Sequence, residues 1–340
     1  MIRCLITGAS GFVGSNLAAH ALGQGWQVRC LVRESSRIEQ LEPLGVELAL
    51  GHLHDAASLQ AACTDVDVVF HVAGRVAALR EAQYAYDNVE GSRRVAEACA
   101  IQPRPPVLVM VSSLAAGGTG TPQAPRRESD LDQPVSAYGR SKLAAEAAII
   151  AAAGEAPVSI VRPPMVFGQG DRASLQIFRG MKVLPVHPSP GLRRFPVSLV
   201  HVADLCDALV RVALHGERVP SRVETPGVAN AGQGKYYVAG DRDISYVEMG
   251  QLAARAAGWV VAPLPLPKAI FWLAGTFGEV VGRIRGRPSI INFDKVREAM
   301  ARGWVCSDEK IRRELGYQPA ATLEDRFADT VAWYRAHGWL

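Results

Sequence analysis

Six short apolar and β-branched runs mark out the first half of this chain: IRCLIT (2–7), QVRCLV (27–32), VELAL (46–50), DVVFHVA (67–73), PVLVMVSS (106–113) and PVSIVRP (157–163). Segments of helical period lie between them, among them GSNLAAHALGQG (14–25), NVEGSRRVAEACA (88–100) and AYGRSKLAAEAAIIAAAG (137–154). A strand that is apolar on both faces must be covered on both faces, and alternating strands and helices provide that cover. The pattern predicts an α/β fold, a doubly wound parallel sheet of the Rossmann type. After about Phe167 the rhythm changes to Pro/Gly-rich stretches such as VLPVHPSPGLRRFP (183–196) and to separated helices, which suits a smaller region laid over the strand ends.

Composition narrows the function by exclusion. The 340 residues are 49% hydrophobic and 21% charged, which argues against disorder. With 37 basic and 33 acidic residues and no Lys/Arg run, nucleic acid is not an expected partner. Six scattered cysteines lack zinc or CxxC spacing and read as small core residues of a reducing compartment. Apolar CLIT begins at residue 4 and leaves no room for a leader peptide, so a cytoplasmic location is expected.

TGASGFVG (7–14) stands between the first strand and the first helix. Its glycines let the backbone turn sharply and approach a pyrophosphate, which the free N–H groups of the helix end attract. Gly8, Ser10, Gly11, Phe12, Val13 and Gly14 are therefore candidate cofactor contacts, and residues 1–165 read as a dinucleotide-binding domain to which later segments return. Residues 166–340 read mainly as a substrate-binding region. At the end of the second strand an acid would bind the adenosine ribose and repel a 2′-phosphate, but LVRESSR (31–37) places Val32 there, followed by Arg33. A guanidinium stacks on adenine and forks onto phosphate, so NADP(H) is favoured, while Glu34 keeps NAD(H) open.

Tyr138 and Lys142 are four apart in SAYGRSKLAAE (136–146) and share a helix face. A free tyrosine has a pKa of about 10 and is a poor base, and a nearby ammonium favours its phenolate. Only six of the 37 cationic residues are lysines, and the ammonium, unlike a guanidinium, is readily tuned. A third polar group, Ser113, ends the strand at 106–113, where open α/β sheets bind ligands outside their carboxyl ends.

Together TGASGFVG, HVAG (71–74), NVEGSRRVAEAC (88–99), VSS (111–113), YGRSK (138–142), VRPPMVFGQGD (161–171), LVHVADL (199–205) and CSDEKIRRELGYQP (306–319) resemble the extended short-chain dehydrogenase/reductases, in order and over nearly the whole chain. The resemblance implies a sheet of about seven strands, a nicotinamide cofactor and a homodimer. It implies that Ser113 orients a carbonyl, that Tyr138 is the general acid/base, that Lys142 lowers its pKa and holds the nicotinamide ribose, and that Asn88 supports a proton relay. Ala73, Gly74, Leu53 and Pro163 would complete the cofactor wall. One departure is GHLHD (51–55), where His52 replaces the family's usual aspartate near the adenine. His52 and His54 are not expected to bind metal.

Two branches of that family compete. Sugar-nucleotide epimerases and dehydratases carry a polar Asn where this chain has Met165 and an Arg where it has Val197, both as diphosphate anchors. Their replacement by apolar side chains would leave a diphosphate poorly paired, although Arg193 and Arg194 are nearby cations. The other branch resembles 3β-hydroxysteroid dehydrogenases and dihydroflavonol reductases, echoed here by VRCLVR (28–33) and by PLPLPKAIFWLAGTFGEVVGRIRGRPSI (263–290). This favours an oxidoreductase interconverting a ketone and a secondary alcohol on an apolar small molecule, with Met165, Val197 and Ser113 facing the substrate. The alternatives are an epimerase or dehydratase with tightly bound NAD(P), or a non-catalytic sensor. The apolar stretch 269–287 leaves two roles open, a lid or core helix and a peripheral membrane contact.

Overall fold

The computed structural model describes residues 1–191, 195–220, 232–289 and 292–340. Strands β1 (Arg3–Thr7), β2 (Gln27–Val32), β3 (Glu47–Leu50), β4 (Val68–His71), β5 (Val107–Val111) and β6 (Val158–Arg162), with Lys235–Tyr237 beyond β6, form one seven-stranded sheet. Its order is Lys235–Tyr237, β6, β5, β4, β1, β2, β3, and every pairing in it is parallel. The strand order reverses direction at β1 and β4, which opens a crevice at their carboxyl ends.

Period-two alternation divides the strand side chains between two cores. Cys4 and Ile6 of β1, Val68 and Phe70 of β4, and Val109 and Val111 of β5 face helices α1 (Phe12–Gly23) and α8 (Val202–His215). Leu5, Val69, Leu108, Met110 and Ile160 face the other way, toward α2 (Ala56–Ala62), α4 (Gly91–Ala100) and α6 (Ala137–Ala152). All six cysteines are buried and free. Between α2 and α4 come α3 (Glu81–Tyr84) and a π-helical turn, Ala85–Glu90, that carries Asn88; the one-turn α5 (Leu114–Gly117) follows β5.

The C-terminal layer contains α7 (Arg172–Val183), α9 (Tyr246–Ala256), α10 (Lys268–Arg285), α11 (Phe293–Ala299), α12 (Glu309–Leu315) and α13 (Leu323–Ala336), with short two-stranded pairings. Phe167, Phe178, Leu252, Phe327 and Tyr334 form the centre of its own core. Among the described residues no helix is long and apolar enough to cross a membrane.

Two buried histidines tie elements together in their neutral form. His71 bonds Thr7 through Nδ1 and Ser92 through Nε2, each at 2.8 Å, and burial, then Lys142, push its pKa down to about 3. His201 caps α8 by accepting the Ala203 N–H at 3.3 Å; burial and then Arg326 bring its pKa to about 4. The unfolded chain protonates both below about pH 6.5, where the native state stays neutral, so the unfolded state binds more protons. Unfolding free energy should therefore fall as pH drops from about 6.5 toward 4, by up to about 1.4 kcal/mol per pH unit for each histidine. Urea midpoints across that range test this, and His71→Asn should show a visibly shallower slope than the wild type.

Candidate active site

Gly8 has a φ of +72°, and a Cβ there would stand 2.7 Å from the Ala73 backbone, so only glycine lets the β1 and β4 loops approach this closely. A Cβ on Gly14 would run into the Gly8 carbonyl. Gly11 caps α1 with no side-chain hydrogen bond, and the first helical turn, which begins Phe12–Val13, holds no acid. This uncapped end is free to receive an anion, with Ser10 half-buried beside it. The donor set fits the pyrophosphate of a dinucleotide, and Ala73 with the exposed Gly74 borders the same crevice from β4.

At the end of β2 the buried Val32 gives way to an exposed Arg33, whose backbone N–H donates to Ser36 Oγ at 2.9 Å. Among the described residues its guanidinium has no carboxylate partner. His52 is exposed, and its Nδ1 accepts the His54 N–H at 3.2 Å. His54 stacks on Tyr86 with ring centroids 3.7 Å apart. Among the described residues no cluster of three or more metal-ligating side chains occurs. Leu53 packs where a Cβ on Gly91 would be 2.9 Å from it, seating the β3 loop on α4.

Ser113 ends β5 and caps α5, its Oγ accepting the Ala115 N–H at 3.1 Å. Pro163 closes the β6 end, its carbonyl accepting the Leu114 N–H at 2.8 Å. Ser136 caps α6 and so places Tyr138 and Lys142 in its first turns. Burial raises the Tyr138 phenol above its usual range, and Lys295 and a hydrogen bond with Ser113 pull it back. The fold thus brings Ser113 to Tyr138 and sets two lysines, Lys142 and Lys295, near the pair. Lys142 Nζ donates to the Val111 carbonyl at 2.8 Å, and Lys295 Nζ lies 5.1 Å from the Tyr138 ring centroid. Burial lowers Lys142 to about 8, with Glu146 opposing.

Asn88 is buried, and both amide hydrogens are engaged, with the Arg75 carbonyl at 3.0 Å and Ser141 Oγ at 2.9 Å. Its Oδ1 accepts the Arg75 N–H at 2.6 Å. The side chain therefore fastens the loop after β4 to α6. Met165 is 44% exposed just beyond β6, at the crevice end of the sheet. Val197, by contrast, is 1% exposed and belongs to the C-terminal core, pairing with Ile244 and Trp304. It corrects the expectation of a substrate-facing side chain, because its strand turns it inward. Arg193 and Arg194 lie outside the described residues.

Sequence reasoning missed two groups. Asp294 accepts the Ala137 and Tyr138 N–H groups at 2.8 and 3.0 Å, clamping α11 over the start of α6 and delivering Lys295. The scarcity of lysine that singled out Lys142 applies equally to Lys295, but no motif surrounds the latter. Beneath the site Arg162 is fully buried and donates all five N–H groups: to Glu146 at 2.9 and 2.6 Å, to Asp132 at 2.6 and 2.9 Å, and to Tyr237 Oη at 3.1 Å. A cation closing the fully buried strand VSIVR was the legible sign that such a partner set exists.

Comparison with known proteins gives the family and agrees with the fold. Residues 4–232 match the model of the NAD dependent epimerase/dehydratase family. The chain is 31% identical to a ceramide reductase of Caulobacter vibrioides, covering 98% of this chain and 95% of that protein. It is 25% identical to a UDP-glucose 4-epimerase of Vibrio cholerae, over 96% and 94%. The solved UDP-glucose 4-epimerase of Thermotoga maritima shares the fold, with a TM-score of 0.75 at 18% identity over 99% of each chain. A glycine cradle, a Ser–Tyr–Lys set at the crevice and a family match over two thirds of the sequence lead to one assignment: the chain belongs to the NAD-dependent epimerase/dehydratase family of extended short-chain dehydrogenase/reductases and is an NAD(P)-dependent enzyme.

Proposed function

We propose that this protein is an NADP(H)-dependent oxidoreductase that interconverts a ketone and a secondary alcohol on a lipophilic substrate of steroid, flavonoid or lipid type. The observation that carries this reading is Met165, an exposed apolar side chain at the crevice end of the sheet, where sugar-nucleotide enzymes of this family hold a polar diphosphate anchor. Likeness to a ceramide reductase, which exceeds that to the epimerase, supports the same side. Arg33, without a carboxylate partner at the end of β2, supports the phosphorylated cofactor.

When bound, the nicotinamide supplies or accepts the hydride. The chain's own residues manage the proton and the geometry. Ser113 donates a hydrogen bond to the substrate oxygen and holds it beside Tyr138. The Tyr138 hydroxyl gives its proton to that oxygen in the reducing direction and takes it back in the oxidising direction. Lys295 stabilises the phenolate half of this cycle, while Asp294 fixes α11 so that the ammonium stays over the ring. Lys142 exchanges its bond to the Val111 carbonyl for one to a ribose hydroxyl of the bound cofactor.

Tyr138→Phe should lower kcat by roughly 10²–10⁴ in either direction, measured by steady-state turnover. Lys295→Met should move the alkaline-rising limb of alcohol oxidation to higher pH, because the phenolate loses its cation, and Lys295→Arg should restore the wild-type profile. An unchanged profile in the Met variant would leave Lys295 with a structural role only. For the cofactor, Arg33→Ala should weaken NADPH binding by roughly tenfold and leave NADH nearly unaffected, read by fluorescence titration. The function itself is tested by following consumption of free NADPH with a panel of hydrophobic ketones, with UDP- and GDP-sugars as controls. Turnover confined to the sugar nucleotides would replace this reading with an epimerase or dehydratase.

A further inference from the structure

Helix α10 buries glycine and exposes large apolar side chains, the reverse of an ordinary surface helix. Its inner face is Gly275, Gly278 and Gly282, all buried. Cβ atoms added at the first and last would come within 2.8 Å of Val296 and 3.3 Å of Leu79, so this face sits tightly on α11 and on the loop after β4. Its outer face carries Ile270, Leu273, Phe277, Val280 and Ile284, at 44, 69, 72, 51 and 80% exposure. At 100° per residue these five fall within an arc of about 80°, opposite the glycines. Among the described residues nothing covers them.

Charge indicates the occupant. Residues 249–293 contain one acid, Glu279, against Arg255, Lys268, Arg283, Arg285 and Arg287, although the whole chain is nearly balanced. Glu279 is itself paired with Arg283 at 3.5 Å. Arg283 and Arg285 project about 100° to either side of the centre of the apolar arc, and Lys268 and Arg287 mark the two ends of the helix. A second copy of this helix on the stripe would set cationic ends against cationic ends in both parallel and antiparallel pairings, at an electrostatic cost. An anionic lipid surface meets the apolar arc with acyl chains and its flanks with phosphate.

We infer that α10 is a peripheral membrane-docking helix, lying in the plane of a bilayer that bears anionic phospholipid, with its Ile270–Ile284 stripe in the acyl boundary. At about 27 Å long and with Arg at its C-terminal end, it lies on the surface rather than spanning it. The helix rests on α11, which carries Asp294 and Lys295 to Tyr138, so docking brings the catalytic crevice within one helix layer of the lipid. The inference rests on surface geometry and complements the proposed lipophilic substrate without depending on it.

Sedimentation of the full-length protein with sucrose-loaded vesicles, without substrate or cofactor, tests it. Binding is expected to vesicles of equal parts phosphatidylglycerol and phosphatidylcholine, weaker binding to phosphatidylcholine alone, and release as salt is raised. The double variant Leu273→Glu/Phe277→Glu should lose vesicle binding by roughly tenfold or more, with an unchanged circular dichroism spectrum and oligomeric state. Arg283→Glu/Arg285→Glu should abolish the preference for the anionic vesicles. The inference is overturned if the wild type stays in the supernatant at low salt, if the Leu273/Phe277 variant sediments like the wild type, or if that variant instead dissociates a dimer.

Discussion

The arrangement of this site depends on one buried cation. Arg162 closes β6 with no exposed surface, and its guanidinium joins Glu146 of α6, Asp132 of the preceding loop and Tyr237 of the edge strand. Glu146 also accepts a hydrogen bond from Ser112, next to Ser113. Burial disfavours the guanidinium, yet the carboxylates outweigh it and raise its pKa, while Arg162 and Lys235 keep Asp132 ionised against its own burial. Breaking such a pair from one side leaves an uncompensated buried charge and costs about 3–5 kcal/mol. The network sets α6 against the ends of β5 and β6, and so sets Tyr138 and Lys142 relative to Ser113.

A second clamp acts from above. Asp294 holds the first two N–H groups of α6, so α11 is docked by charge on a helix N-terminus, where a carboxylate is favoured. Through this contact the C-terminal layer brings Lys295 over the Tyr138 ring, and through its glycine face α10 is seated on the same support. The catalytic crevice is thus fixed from below by an ion cluster and from above by a capping carboxylate. These two features link the sheet to the α10–α11 surface.

Much of the fold was legible because its signals are local. β1 to β6 fall within the apolar runs that announce them; the inner strands are apolar because both their faces are covered, whereas the edge strand β3 leaves Leu48 and Leu50 exposed. Gly8 and Gly14 were legible because a backbone approach without room for a Cβ permits no other residue. The π-helical turn at Ala85–Glu90 was not, because one inserted residue leaves no periodic trace in so short a segment. Nor was the fate of Val197: its sequence neighbours suit an exposed or a buried face equally, and pairing with Ile244 and Trp304 decides the matter.

The sequence alone determined the doubly wound sheet, the glycine loop after its first strand, and the placing of Tyr138 and Lys142 on one helix with Ser113 just beyond β5, because each rests on spacing within a single element or on one strand-to-loop junction. Tertiary structure alone decided which cation faces the tyrosine, since Lys142 and Lys295 are separated by most of the C-terminal half and only the docking of α11 brings the latter to the ring. It likewise decided that Asn88 is a tether and that the apolar face of α10 points outward. Those outcomes depend on which surfaces meet, and a linear pattern records the character of a face without recording its partner.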